Sequence, residues 1–154
     1  MSLPRLEQFL QSNQVAFNTM THPHAFTAQA TAASANISGK EMAKTVMVKL
    51  DGKLAMAVVP ANEWLDLAHL REITGARDVA LASESEFKDR FPECEVGAMP
   101  PFGNLYGMDV YAADSLAADE QIAFNAGSHR ELMRMGWRDF ERLVHPCVGD
   151  LTRH

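Results

Sequence analysis

The chain has 154 residues, 47% hydrophobic and 22% charged. That balance supports one domain over residues 1–154 with a real core, and no apolar run nears the roughly 20 residues a membrane span requires. Its formal net charge of −6 argues against a broad basic grip on nucleic acid, DNA included, but not against a grip on one RNA end. The start MSLPRLEQFL has neither a basic n-region nor a long apolar h-region, and Cys94 and Cys147 lack CxxC spacing. These features predict free thiols, no signal peptide and a cytoplasmic location.

Leu3, Leu6, Phe9 and Leu10 predict an amphipathic helix over 3–14. Val15 to Met20 reads as a short strand, Thr21-His22-Pro23-His24 as a loop, and the small-residue run 27–35 as a helix suited to close packing on a sheet. Gly39-Lys40 breaks the chain before a strand from Ala43 to Leu50. Asp51-Gly52 is a two-residue hairpin signal leading into a second strand, Leu54 to Val59, ended by Pro60. Such a turn pairs Leu50 with Lys53, and therefore Lys44 with Val59. Asn62 is the expected cap of a helix over 63–74, with Gly75 as its stop. Val79 to Ala82 reads as a strand, and Ser83-Glu84-Ser85-Glu86 as a capping box for a helix ending before Pro92. Residues 95–103 are loop-rich. Leu105 to Ala112, Gln121 to Asn125 and Glu131 to Met135 read as strands, and Trp137 to Val144 as a closing helix ended near Pro146. Irregular alternation with a hairpin predicts an α/β protein with a mixed sheet surrounded by helices, not a doubly wound parallel sheet. No GxGxxG or Walker A sequence supports a dinucleotide or nucleoside triphosphate site.

Lys44 is the anomaly. It shares a strand face with Val46, Val48 and Leu50, the face expected to point at the core, whereas Lys49 lies on the other face as ordinary solvated charge. An inward lysine costs free energy unless it is paired or opens into a wet cavity. The pattern leaves two readings open: a lysine snorkelling at a strand start, or a functional group at a sheet end. Gly97-Ala98-Met99-Pro100-Pro101-Phe102-Gly103 is either a rigid connector or a loop presenting fixed N–H groups to an oxyanion. Phe124-Asn125-Ala126-Gly127-Ser128-His129-Arg130 is either a polar hairpin loop or a set of donors and acceptors beside an open backbone. Arg130, Arg134, Arg138 and Arg142 form either a local basic rim or solvated surface. His22-Pro23-His24 has poor spacing for one ion and no third ligand, so no metal is expected. Neither cysteine has a neighbouring base in sequence, and both read as buried or incidental.

Together, Ala43-Lys44-Thr45-Val46, the Gly97–Gly103 loop and the Asn125–His129 turn resemble the three signatures of the YbaK/ProX family, the free-standing relatives of the editing domain inserted in bacterial prolyl-tRNA synthetases. Their order and spacing carry the match, which runs over nearly the whole chain. The resemblance implies a strongly curved, barrel-like mixed sheet surrounded by helices. It implies hydrolysis of the ester linking a wrong amino acid to tRNA, with no cofactor. It gives the acceptor end of aminoacyl-tRNA as partner and allows a synthetase as a second one. Lys44 matches the family lysine implicated in substrate binding and deacylation. Gly97 matches the first glycine of the Gly-Gly-x-x-Pro-type loop that shapes the aminoacyl pocket, with Ala98 a departure at its second position and Pro100 in the same loop. Asn125, paired with Lys44 as a catalytic candidate, stands where relatives carry serine or histidine. Gly127 fits a family glycine, and Thr45, Ser128 and His129 join it as substrate-binding candidates. His24 matches loosely an early loop that lines the site. Size exclusion implies a pocket for alanine, serine or threonine. The alternative in a different class is a module that binds aminoacyl-tRNA without hydrolysing it. A small-ester hydrolase is disfavoured by the missing nucleophile–base pair.

Overall fold

The computed structural model describes residues 3–21 and 38–153. His24 and the expected helix at 27–35 lie outside the described residues. The amphipathic opening forms α1 (Pro4–Ser12), with proline in the first turn, where its missing N–H costs nothing, and Leu6 and Leu10 buried. Strand β1 (Phe17–Thr21) follows.

The hairpin forms as expected. Strands β2 (Ala43–Leu50) and β3 (Lys53–Pro60) pair antiparallel, with Leu50 opposite Lys53 and Lys44 opposite Val59. Asp51 and Gly52 both take positive φ, 51° and 83°, as a two-residue hairpin turn of primed type requires. The segment expected as a helix over 63–74 divides. Trp64–Leu65 form a short strand, β4, and helix α2 spans Leu67–Thr74. Its cap is Asp66 rather than Asn62, because Asp66 accepts from the N–H groups of Ala68 and His69. Gly75 ends the helix at φ 71°, the left-handed position expected of it.

Strand β5 (Val79–Leu81) precedes α3 (Glu84–Phe87), whose Ser83–Glu86 capping box is fully made. The Lys49 ammonium and the Ser83 groups around Glu86 lower its carboxyl to about 2. Leu105 belongs to a 3-10 turn over Gly103–Leu105, so β6 starts later than expected, at Asp109–Ala113. A short helix α4 (Asp114–Ala117) leads to β7 (Gln121–Asn125), β8 (Glu131–Gly136) and α5 (Trp137–Val144). The chain closes through β9 (Cys147–Gly149) and β10 (Thr152–Arg153).

The principal sheet has the order β5-β2-β3-β6-β9, antiparallel across the hairpin and parallel from β3 through β6 to β9. A second, antiparallel sheet has the order β1-β8-β7. The two meet at a parallel bridge between Met42 and Ala123, and the described strands do not close into a barrel. The larger core lies under Ala43 and Met47 of β2, with Phe102 against Phe124 and Phe140 at ring separations of 5.5 and 5.4 Å. The Lys44 face covers a smaller core, Val48, Ala55, Ala57, Val59 and Leu70. The anomalous lysine thus lies on an inward face, but of the smaller of the two layers.

Candidate functional site

Strand alternation puts Lys44 at the end of β2 farthest from the hairpin turn, where the sheet gives way to Pro60 and β4. Burial lowers its ammonium below the ordinary lysine range. The Nζ lies 5.0 Å from the centroid of the Trp64 ring, a cation–π arrangement. Among the described residues no carboxylate is within 4 Å of it.

The start of β2 is tied to both sheets. Ala61 N–H donates to Met42 O at 2.7 Å, and Ala123 N–H donates to Glu41 O at 3.0 Å. Glu41 binds Arg134 of β8 at 2.6 Å. Met42 and Ala123 share a small apolar cluster with Ala61 and Leu132. Their chain neighbours Ala43 and Phe124 point to the larger core instead. Two residues beyond the bridge on each strand stand Lys44 and Asn125. Parity therefore directs both side chains to the same face of the sheet junction. Asn125 Oδ1 is buried there, with no hydrogen-bond partner among the described residues. Thr45 points to the opposite face, beside Val58 of the larger core, so it cannot line a pocket together with Lys44.

The second and third signature segments come together as a closed clamp. Glu95 N–H donates to Gly127 O at 2.8 Å, Gly127 N–H to Ala98 O at 2.9 Å, and Ala98 N–H to Glu95 O at 3.0 Å. The Glu95 carboxylate accepts from the His129 N–H at 2.8 Å. His129 Nε2 lies 2.7 Å from the Val96 carbonyl, so that nitrogen carries the proton and donates it. His129 is 6% exposed, not the surface histidine that a polar hairpin loop implies. Gly97 takes φ 85° with its Cβ position 3.3 Å from the His129 ring. Gly127 takes φ 98°, and a Cβ there would fall 2.7 Å from Leu3 Cγ. Ser128 Oγ accepts from Arg130 N–H at 3.2 Å and so closes its own turn. The Ala98 N–H is committed inside the clamp and is not available to an oxyanion. Ala98, Pro100 and the rest of the loop to Gly103 are buried.

Of the four arginines, Arg134 is partly buried and held by Glu41, while Arg130, Arg138 and Arg142 are exposed, Arg142 pairing with Asp139 at 3.3 Å. Cys94 is half-buried, and burial pushes its thiol up to about 11; Cys147 is exposed. Among the described residues no three metal-ligating side chains converge, and no helix is long and apolar enough to cross a membrane. Sequence reasoning missed Trp64, which it absorbed into a helix, and the Glu41–Arg134 pair, whose members lie far apart in the chain.

The family model of the aminoacyl-tRNA editing domain matches residues 22–143. The chain is 29% identical over 83 residues to a proline--tRNA ligase of Bacillus mycoides (strain KBAB4), a match covering 54% of this chain and 14% of the ligase. To the proline--tRNA ligase of Bacillus cereus (strain G9842) it is 26% identical over 105 residues, 68% of this chain and 18% of that one. The matched stretch is therefore less than a fifth of each ligase. Among solved structures, a hypothetical protein superposes with TM-score 0.86 at 18% identity, covering 97% of this chain and 99% of the other. A structure described as a candidate trans-editing enzyme for prolyl tRNA synthetase superposes with TM-score 0.82 at 18% identity, covering 97% and 96%. These likenesses establish the shared fold.

Proposed function

Because the chain belongs to the aminoacyl-tRNA editing domain family, we propose that it is a trans-editing deacylase for tRNA carrying a wrong small amino acid: alanine, serine or threonine. The observation that carries the proposal is the junction face, where a partly buried lysine and a buried carboxamide oxygen with no described partner point to the same side. A charge and an acceptor kept at such cost at a sheet end fit a polar ligand better than a packing role.

In this mechanism the Lys44 ammonium holds the terminal phosphate or the ester carbonyl of the aminoacyl end. Asn125 Oδ1 accepts from the attacking water or from the α-ammonium of the amino acid. Water adds to the ester carbonyl carbon, the bond to the ribose oxygen breaks, and the proton passes to that oxygen, leaving free amino acid and intact tRNA. An activated ester needs a placed water and a stabilised oxyanion rather than a strong base, and the terminal ribose hydroxyl helps to orient the water. The Glu95–Gly127–Ala98 clamp shapes the wall of the pocket instead of supplying oxyanion donors. Selection is by size, the smaller residue entering and the larger cognate one excluded. The likeness to part of proline--tRNA ligases supports proline-accepting tRNA as the substrate and a prolyl synthetase as a protein partner in this proposal.

The test is a panel of tRNAs charged with Ala, Ser, Thr, Cys or Pro. Release of a small amino acid, with prolyl-tRNA spared, is the expected result. Tight binding of charged tRNA without turnover would instead favour the binding module. Turnover of simple esters but not of aminoacyl-tRNA would favour a general esterase.

A further inference from the structure

Trp64 is 69% exposed, the most exposed of the large hydrophobic side chains described, yet its backbone is fixed on every side. Strand β4 pairs with β10, placing Trp64 opposite Arg153 and Leu65 opposite Thr152. On one flank, the Glu63 carboxylate accepts from Thr152 Oγ1 at 2.6 Å and from Ser115 Oγ at 3.2 Å. On the other, Asp66 N–H donates to Leu151 O at 2.7 Å, and the Asp66 side chain caps α2. An indole on so well-anchored a strand loses little conformational entropy when a ligand covers it. It also presents an aromatic plane to solvent beside a cation.

The Lys44 ammonium 5.0 Å from the ring centroid completes the arrangement. A cation for phosphate beside an exposed aromatic plane for a base is the pairing that binds single-stranded nucleic-acid ends. We propose that Trp64 is a stacking platform for an unpaired nucleobase at the 3′ end of the bound RNA, with Lys44 reaching the adjacent phosphate. This inference rests on the deacylase reading and extends it by naming where the RNA end lies. It also accounts for an acidic protein using RNA: stacking supplies affinity that net charge does not. Trp64 acts here by positioning substrate, not in the chemical step.

The experiment has two independent arms. The chain has two tryptophans, and the other, Trp137, is 4% exposed, so solvent-exposed indole emission reports on Trp64. In the first arm, an uncharged acceptor-stem hairpin ending in single-stranded CCA is titrated into the wild-type protein, with a blunt hairpin lacking the overhang as control. Saturable quenching by the CCA hairpin, absent with the blunt hairpin and absent in Trp64→Phe, is the expected result. In the second, KM for deacylation rises about tenfold in Trp64→Ala with kcat within about threefold, and Trp64→Phe recovers most of the loss. Equal quenching by both hairpins, or an unchanged KM in Trp64→Ala, would overturn the platform while leaving the deacylase reading intact. Absence of deacylation by the wild type would sink the deacylase reading, and the quenching arm would still decide whether Trp64 meets an RNA end.

Discussion

The Lys44 end of β2 and the loops joined at Gly97 and Gly127 both border the end of β7, yet they handle polar groups in opposite ways. The loops bond to each other across the gap between them: Glu95, Ala98, Gly127 and His129 donate to and accept from one another at 2.8 to 3.0 Å, and His129 Nε2 donates to the Val96 carbonyl at 2.7 Å. The β2 end leaves a lysine that burial has made a weaker base and whose described neighbour is an aromatic ring. A region whose loops are cross-linked by their own hydrogen bonds is scaffold; a region that keeps a partly buried charge is where a ligand can be held. Mutations should therefore separate the two, loop changes acting first on stability and β2 changes first on activity.

The largest stability effect is expected at Gly127→Ala. A Cβ at φ 98° and 2.7 Å from Leu3 Cγ forces strain and displaces α1, costing about 2–3 kcal/mol of unfolding free energy measured in urea. A change below about 0.5 kcal/mol there would mean that the clamp is loose. His129→Ala removes the hydrogen bond to Val96 and should cost about 1–2 kcal/mol; deacylation then falls only where protein unfolds, and returns on cooling. An activity loss at full stability would move His129 from scaffold to site.

A pH effect follows on the other side of the comparison. Lys44 must be charged to hold phosphate, and its folded-state pKa lies below the ordinary 10.5. Binding of an uncharged acceptor hairpin should weaken several-fold as pH rises through that lowered value, and Lys44→Arg should abolish the loss by staying protonated. The sign for stability is the reverse: a lysine with a depressed folded-state pKa penalises folding while protonated, and the penalty lifts as pH rises past it. The smallest effect is expected for Glu41 and Arg134. Both side chains are about one-third exposed, so a double-mutant cycle should give a coupling below about 1 kcal/mol.

The hairpin was legible because a two-residue turn leaves no freedom of register: Asp51-Gly52 determines Lys44 opposite Val59. Gly75 and the Ser83–Glu86 box were legible for the same reason, each being a local rule satisfied within a few residues. What stayed hidden depends on distant partners. Strands β4, β9 and β10 have two or three residues each and exist through their tertiary pairing. Asp66 outcompeted Asn62 as cap because Trp64 and Leu65 were drawn into pairing with β10. Which face of β2 held the larger core could not be read, since both faces are covered. The three signature segments were legible as segments. That two of them form a hydrogen-bonded clamp, with the Ala98 N–H and His129 Nε2 already engaged, required the fold.

Single-turnover deacylation of the preferred charged tRNA by wild type and Lys44→Ala, with thermal midpoints taken on the same samples, tests the role of Lys44 most directly. The expected result is a rate lower by about 100-fold, or about 2.7 kcal/mol of lost transition-state stabilisation, with a midpoint unchanged or raised because a desolvated charge is gone. A rate within a few-fold of wild type, or a loss that merely tracks a lowered midpoint, would contradict it.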